Sequence, residues 1–152
     1  MSKAYAALKK LNPLSYPTRK IRRVVPLKKY KTYSKYKPYL KEEFGRQCIY
    51  CRKVDVDLDP SAFHVDHYKP KSLYPHLKTE YTNLFYSCAH CNIFKNDHPS
   101  SNAQDEIPNP CSHVMSQHLR FSGDQIDGLT ENGKFTEELL RLNDLVLSLI
   151  HI

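Results

Sequence analysis

The chain has 152 residues, of which 40% are hydrophobic and none is tryptophan, and this suits one domain with a modest core. No stretch approaches the roughly 18 consecutive apolar residues of a membrane span, and no apolar secretory signal opens the sequence. Five cysteines are an odd number, and four of them are spaced for metal rather than for a disulfide framework. A reducing, cytoplasmic setting is therefore predicted.

The charge of the chain is concentrated at one end. Residues 1–44 hold 13 Lys/Arg and 2 Glu, a net +11, whereas residues 45–152 hold 10 Lys/Arg and 14 Asp/Glu, a net −4. Nucleic acid or another polyanion is therefore the expected partner of the N-terminal part. The chain divides by composition into a basic arm with a short helix (1–44), a central core (45–100) and a C-terminal extension (101–152).

The basic arm combines charge with aromatic rings. Residues 16–38 interleave Lys and Arg with four tyrosines, and three prolines interrupt any long helix. Basic side chains neutralise phosphates and tyrosines stack on bases or sugars, so nucleic-acid binding is expected. Two alternatives are a solvated tail without a target and a segment that wraps a partner protein or the core of this chain. The cations expected to contact nucleic acid are Arg19, Lys20, Arg22 and Arg23.

Two elements are predicted in the first part of the central region. A short helix is expected at residues 39–44, with Pro38 in its first turn and Gly45 at its end. In residues 63–67 (FHVDH) polar and apolar residues alternate, which predicts a strand. The alternation would place His64 and Asp66 together on one face of the strand. Phe63 and Val65 would then face the core.

The remaining elements follow a loop after the strand. The apolar and aromatic residues 81–88 lead into Cys88–Cys91, which opens onto NIFKND at residues 92–97, and this last part is predicted to start a helix. Further on, HLRF–SGD–QIDGL predicts a hairpin. An amphipathic helix is expected after Thr136, because apolar residues recur there at helical spacing: Leu139, Leu142, Val146 and Leu149.

Four cysteines form two CxxC pairs separated by 36 residues, Cys48/Cys51 and Cys88/Cys91. Four thiolates in two knuckles suit tetrahedral structural zinc, a closed site without an open coordination position. An iron–sulfur cluster is the alternative, although no further redox feature accompanies the cysteines. Cys111 lies outside the pattern and suits a small buried position.

The segment between the cysteine pairs carries residues suited to phosphodiester hydrolysis. This reaction needs a nucleophilic water, a base that takes its proton, and positive charge near the leaving oxygen. His67 has a side chain whose ordinary pKa suits a base at neutral pH. Asp66 offers a hard oxygen ligand for Mg²⁺ or Mn²⁺, and Asn92 offers a neutral one.

Three strings in this region resemble the HNH endonuclease family: DHYKP at 66–70, NL at 83–84, and CAHCNIFK at 88–95. The resemblance covers residues 48–95 and implies an α+β fold. This fold has a small ββα-metal core stapled by a zinc site of four cysteines, to which the chain adds the basic arm and the C-terminal hairpin and helix. The resemblance also implies the roles of the catalytic residues: His67 as general base, Asp66 and Asn92 as ligands of the catalytic metal, and Asn83 as the brace of the loop that holds the base.

Some residues of this segment have no fixed role in the family. Where some members place a third metal-binding histidine, this chain has Asn92, so it resembles the subgroup with Asp and Asn ligands. His64 is predicted to contact metal or phosphate, or else to make a structural hydrogen bond. Lys69, Lys71 and Lys95 are candidate phosphate contacts, with plain surface lysines as the alternative.

Longer strings are similar to HNH nuclease subunits of bacterial anti-phage systems of the Septu and retron type. They are HVDHYKPKS at 64–72, LYPHL at 73–77 and NLFYSC at 83–88. The C-terminal region from Ile107 to Asn143 matches more weakly. The resemblance implies a partner ATPase in such a system. It also implies cleavage of DNA to 5′-phosphate and 3′-hydroxyl ends, while RNA stays an alternative substrate. Two other functions compete: a zinc-stapled nucleic-acid-binding module that does not cut, and a nuclease that stays silent until its partner releases it.

Overall fold

The computed structural model describes residues 14–98 and 105–144, and all helices and strands named below belong to these ranges. The α-helices are α1 (Lys37–Glu43), α2 (Ala89–Lys95) and α3 (Glu131–Leu139). The strands are β1 (Phe63–His67), β2 (Leu84–Cys88), β3 (Leu119–Ser122) and β4 (Gln125–Gly128). Single turns of 3-10 helix lie at Tyr33–Tyr36, Pro60–Ala62, Pro75–Leu77, Tyr81–Asn83 and Met115–Gln117.

The centre of the fold is a ββα unit. Strands β1 and β2 pair antiparallel, with Phe63 opposite Cys88 and His67 opposite Leu84. Helix α2 starts directly after β2, where the Cys88 sulfur caps it by accepting a hydrogen bond from the Cys91 amide. Helix α1 packs against both strands, and every residue of β2 is buried. The predicted α+β fold with a ββα core is confirmed.

The first helix and the strand at residues 63–67 are confirmed, but the predicted faces of the strand are wrong in part. Phe63 is buried and stacks on Tyr86, with ring centroids 5.0 Å apart, as expected. Asp66 is also buried, with 3% of its surface exposed, whereas Val65 is only half-buried. Alternation assigns a carboxylate to solvent, but hydrogen-bonding groups in the interior make burial of Asp66 favourable.

Residues 14–44 wrap the core of this chain, which was one of the alternatives for the basic arm. Tyr16 is 5% exposed, stacks on Phe121, and donates a hydrogen bond of 2.6 Å to the carbonyl of Tyr50. Tyr36 and Leu40 are buried in the same core. The solvated-tail alternative is wrong for the described part of the arm, because Tyr16, Tyr36 and Leu40 anchor it to the centre of the fold.

The three regions separated by composition share this core. One hydrophobic cluster runs from Tyr16 in the basic segment, through the ββα unit, to Leu140 and Leu142 near the C-terminal end of the described chain. The division into 1–44, 45–100 and 101–152 is therefore a division of charge and motif. Residues 1–13, 99–104 and 145–152, which belong to these regions, lie outside the described residues.

The predicted C-terminal hairpin is confirmed by β3 and β4, but the start of the helix after it was placed too late. Helix α3 begins at Glu131, because the Thr130 hydroxyl accepts a hydrogen bond of 3.0 Å from the Gly133 amide. Only glycine fits at position 133, since a Cβ there would lie 2.0 Å from the carbonyl oxygen of His118. Helix α3 ends at Leu139, so Leu142 of the predicted apolar stripe lies beyond the helix, and this part of the prediction is wrong. Val146 and Leu149 lie outside the described residues.

No helix in the described ranges 14–98 and 105–144 is both long enough and apolar enough to cross a membrane.

Candidate metal and active site

The four cysteines of the two CxxC pairs meet in the interior. Their sulfur atoms all lie within 4.8 Å of one another, and all four side chains are buried: Cys48, Cys51, Cys88 and Cys91. The sulfurs of Cys51 and Cys88 are 3.6 Å apart, too far for a disulfide, whose sulfurs are about 2.05 Å apart. Tetrahedral zinc with bonds of about 2.3 Å would place its sulfur ligands roughly 3.8 Å apart. The cluster therefore has the geometry of a zinc site with four cysteine ligands.

The electrostatics of the cluster also fit a cation. Burial raises the pKa of Cys51 and of Cys91 well above the ordinary value. Four thiolates at this distance from one another require a divalent cation between them, because their mutual repulsion would otherwise keep most of them protonated. The cluster can hold zinc, and it joins the chain before β1 to the start of α2.

A cleft of about 480 Å³ lies beside the ββα unit and collects the residues proposed for catalysis. Asp66 and His67 reach it from the end of β1, and Asn92 reaches it from α2. The three come together because α2 follows β2 without a linker and β2 pairs with β1. A carboxylate, an imidazole and an amide therefore face one space that is large enough for a phosphodiester.

Asp66 is held by two buried donors. The hydroxyl of Tyr50 donates a hydrogen bond of 2.5 Å to one carboxylate oxygen, and the Lys95 ammonium lies 3.3 Å from the other. Burial and the charge of Asp66 raise the pKa of Tyr50 well above its ordinary value, so this phenol keeps its proton and donates. Each carboxylate oxygen retains a second lone pair. Asp66 is therefore fixed in place and still able to bind a cation.

The orientation of His67 is set by a main-chain carbonyl. Its Nε2 atom lies 2.9 Å from the carbonyl oxygen of Lys78, which can only accept, so Nε2 carries the proton. Burial lowers the pKa of His67 below its ordinary value and outweighs the opposing effect of this hydrogen bond. The imidazole is therefore neutral at neutral pH, and the lone pair of Nδ1 is left to accept a proton.

Asn83 ties the loop after β1 to the start of β2. Its Oδ1 accepts a hydrogen bond of 2.9 Å from the Lys69 amide, and its Nδ2 donates to the Lys69 and Leu77 carbonyls. The Tyr68 amide also donates to the Asn83 carbonyl at 2.9 Å. The loop that carries the Lys78 carbonyl to His67 is thus fastened at both of its ends.

The donor set of the cleft fits a hard divalent cation. Asp66 supplies a carboxylate and Asn92 an amide oxygen, and Mg²⁺ typically takes one or two carboxylates and completes its shell with water. The Asn92 amide makes no side-chain hydrogen bond within the part of the chain that the structure describes. Asn96 and Asp97 also line the cleft and add oxygen atoms that sequence reasoning did not select.

Residues 48–98 match the family model of the HNH endonucleases, and this range contains both cysteine pairs together with Asp66, His67 and Asn92. These residues are called the HNH domain below, after the family model that they match. Over 113 residues it is 34% identical to the Septu protein PtuB of Bacillus thuringiensis. The aligned part is 72% of this chain and 43% of that relative, so the chain spans less than half of the relative's length. No solved structure matches.

Two cations expected to contact nucleic acid are instead built into the fold around the HNH domain. The Lys95 side chain is only 1% exposed, and its ammonium donates a hydrogen bond of 2.7 Å to the His67 carbonyl besides pairing with Asp66. The guanidinium of Arg23 donates to the carbonyls of Tyr81, Thr82 and Leu84 and pairs with Glu43 at 3.2 Å. A phosphate could not reach these groups without displacing buried partners, so the expectation is corrected for Lys95 and Arg23.

The other expected contacts lie on the surface. Arg19, Lys20 and Arg22 are exposed on the N-terminal segment, and Lys69 and Lys71 are exposed on the loop after β1. Lys71 lines the cleft of the HNH domain.

His64 also lines the cleft of the HNH domain. Its Nε2 donates a hydrogen bond of 3.0 Å to the Ser61 carbonyl. This structural hydrogen bond was one of the two predictions for His64. It uses Nε2, so Nδ1 is the ring nitrogen that does not take part in it.

Sequence reasoning missed two tyrosines of the site. Tyr50 lies inside the first CxxC pair, and Tyr33 lies in the basic segment with its ring against His67. The position of Tyr50 between two predicted metal ligands was a usable signal, because such a knuckle is rigid. Tyr33 gave no signal, since it is one of four similar tyrosines among lysines.

Proposed function

We propose that this chain is a metal-dependent endonuclease that hydrolyses DNA phosphodiester bonds and leaves 5′-phosphate and 3′-hydroxyl ends. The observation that carries the proposal is the meeting of Asp66, His67 and Asn92 in one cleft, inside the residues that match the HNH family. His67 is neutral and oriented, which is the state that a general base requires. Asn83 supports this orientation by fastening the loop that carries the Lys78 carbonyl.

His67 takes the proton of the attacking water on Nδ1. The Lys78 carbonyl keeps the proton on Nε2 throughout, so only Nδ1 has a lone pair for this transfer. As His67 becomes positively charged, the hydrogen bond to Lys78 strengthens and stabilises the imidazolium. The water then attacks phosphorus in line with the departing 3′ oxygen, and this oxygen takes a proton from solvent to become the 3′-hydroxyl.

Asp66 and Asn92 are the residues that would hold Mg²⁺ or Mn²⁺ beside the scissile phosphate. When bound there, the cation supplies positive charge for the pentacovalent transition state and the leaving oxygen. Tyr50 and Lys95 keep the Asp66 carboxylate aimed at this position. The zinc of the cysteine cluster has a structural role only, because four thiolates leave no position for a substrate.

The nucleic acid would lie across the cleft, which Lys71 lines. Arg19, Lys20, Arg22 and Lys69 are exposed and would bind further phosphates. Contacts of this kind bind phosphates and carry no base information, so we propose binding with low intrinsic sequence specificity.

The test is nicking of supercoiled plasmid by the purified chain, with Mg²⁺ or Mn²⁺, against EDTA and against His67→Ala. The proposal expects cleavage that requires both the added metal and His67, while zinc content and DNA affinity stay unchanged in the variant. His118→Ala is a matched control, because His118 binds Thr130 in the C-terminal part and lies outside the cleft. DNA binding without cleavage by the isolated chain would leave two readings, a nuclease gated by a partner and a binding module. Absence of cleavage also in the presence of a co-purified ATPase would identify the binding module.

The similarity to the Septu protein PtuB supports a second part of the proposal, which is a role in anti-phage defence. There the nuclease would stay silent until a partner ATPase releases it, in the cytoplasm of the infected cell. Co-purification from a host that expresses the neighbouring genes tests this. Cleavage that appears only when an ATPase co-purifies would support gating, whereas full activity of the isolated chain would refute it.

A further inference from the structure

Tyr33 contacts the proposed base from outside the residues that match the HNH family. Its ring lies edge-on to the imidazole of His67, with centroids 4.6 Å apart and ring planes at 82°. Tyr33 belongs to the 3-10 helix Tyr33–Tyr36 of the basic segment, whereas the family match begins at residue 48. Both rings line the same cleft.

The hydrogen bond between His67 and Lys78 leaves one motion of the imidazole weakly restrained. Nε2 lies close to the extension of the Cβ–Cγ bond, so rotation about that bond moves Nε2 little and swings Nδ1 through a wide arc. This torsion has a broad energy profile in histidine, so it does not fix the ring plane by itself. A second contact is needed to aim Nδ1, and the edge-on ring of Tyr33 is in position to provide it.

Tyr33 is itself held on two sides. The Lys71 ammonium donates a hydrogen bond of 2.9 Å to the Tyr33 hydroxyl and lies 4.9 Å from the ring centroid. In the same 3-10 helix, Tyr36 is buried and packs edge-on against Tyr81 at 5.2 Å. The helix is therefore anchored to the core, and the ring of Tyr33 has little freedom to leave His67.

We propose that Tyr33 is a positioning residue that fixes the plane of the His67 imidazole and so aims Nδ1 into the cleft. The inference rests on the proposed function, because it gives Tyr33 a task in the hydrolysis for which His67 is the base. The basic segment then completes the active site, in addition to any phosphates that its cations bind. The HNH domain alone would have a base whose ring plane is not fixed.

The experiment compares Tyr33→Ala with Tyr33→Phe in the full chain under steady-state cleavage of plasmid DNA. Tyr33→Ala should lower kcat by about 100-fold, the effect of a misplaced catalytic group, with little change in KM. Tyr33→Phe keeps the ring edge and should restore most of kcat. The matched control is Tyr39→Ala, which removes an exposed tyrosine of the same segment that does not line the cleft.

Nitrogen-15 NMR of the His67 ring, assigned with His67→Gln, reads the orientation without any cleavage. Wild type should give one sharp signal pair with the proton on Nε2, and Tyr33→Ala should broaden or average it. If Tyr33→Ala does not fold, Tyr33→Leu replaces it, because leucine fills the space without an aromatic edge.

Unchanged kcat together with an unchanged ring signal in Tyr33→Ala overturns the inference. A change in KM alone also overturns it, since Tyr33 would then be a DNA contact. If the wild-type chain cuts no DNA, either alone or with a co-purified ATPase, the proposed function fails, and the NMR comparison still decides whether Tyr33 orients His67.

Discussion

Tyr50 donates a hydrogen bond of 2.5 Å to Asp66, and Tyr50 is the residue directly before Cys51 of the cysteine cluster. The phenol is fully buried and lies between the two cysteines of the first knuckle. Its backbone carbonyl accepts a hydrogen bond from Tyr16, so the basic segment clamps the same residue. The cysteine cluster and the proposed catalytic carboxylate are therefore connected through one side chain.

Replacing Tyr50 by phenylalanine should weaken divalent-metal binding at Asp66. Residues that support a metal ligand typically contribute 10- to 100-fold to affinity, so Mn²⁺ affinity measured by electron paramagnetic resonance should fall by about 10-fold. Tyr86→Phe is the matched control, because Tyr86 hydrogen-bonds Asp55, which does not line the cleft. Equal Mn²⁺ affinity in Tyr50→Phe and wild type would show that the hydrogen bond does not position Asp66.

Removal of one cysteine of the cluster should unfold the ββα unit. Cys51→Ala leaves three ligands, and structural zinc sites contribute on the order of 10 kcal/mol to folding. We expect loss of bound zinc, measured by atomic absorption, together with loss of the cooperative thermal transition. Cys111→Ala is the control, since Cys111 is outside the cluster and should keep one zinc per chain. A cooperative, zinc-free Cys51→Ala protein would contradict the structural role.

Replacing Arg23 should lower the stability of the protein much more than replacing its neighbour Arg22. Arg23→Met breaks the buried pair with Glu43, whose side chains are 9% and 7% exposed, and leaves that carboxylate without its cation. This should lower the free energy of unfolding in urea by about 3–5 kcal/mol. Arg22 is exposed, so Arg22→Met should change stability by less than about 0.5 kcal/mol. Similar stability losses in both variants would refute the distinction.

The exposed cations of the basic segment should set the salt dependence of DNA binding. The triple change of Arg19, Lys20 and Arg22 to glutamine keeps the buried residues of the segment, which a deletion would remove. The slope of log K against log salt should fall in magnitude by about 2–3, close to one for each lost phosphate contact. Fluorescence anisotropy over a salt series measures the slope.

The control is a double variant, Arg120→Gln with Lys134→Gln, whose two residues are exposed in the C-terminal part. It shows whether loss of positive charge elsewhere on the protein also changes the slope. The two control changes should leave the slope close to that of wild type. A slope that does not change in the triple variant would make the basic segment a purely structural or protein-binding element.

The sequence predicted those parts of the fold that local pattern determines. The CxxC spacing, the alternation in residues 63–67 and the turn predicted at residues 122–124 each identified the correct element. Helix α3 begins earlier than the predicted start after Thr136, because Thr130 is the residue that caps it. Both threonines are suitable caps in sequence, and the fold selects between them.

The burial of charged groups could not be predicted in the same way. Lys95 and Arg23 look like surface cations in sequence, since their partners lie 28 and 20 residues or more away in the chain. A buried cation is stable only where carboxylates and carbonyls converge on it, and that convergence is a property of the assembled fold. The same holds for the contact between Tyr33 and His67.

The position of Asn92 directly after Cys91 has a consequence for synthesis on the ribosome. The last cysteine of the cluster and the second proposed ligand of the catalytic metal emerge from the ribosome together, after Asp66 and His67. His90, between the last two cysteines, then donates to the Leu140 carbonyl and docks the C-terminal part onto α2. A nascent chain therefore carries its base long before it carries a complete metal site, and a truncated translation product that ends before residue 91 has neither the closed cluster nor Asn92.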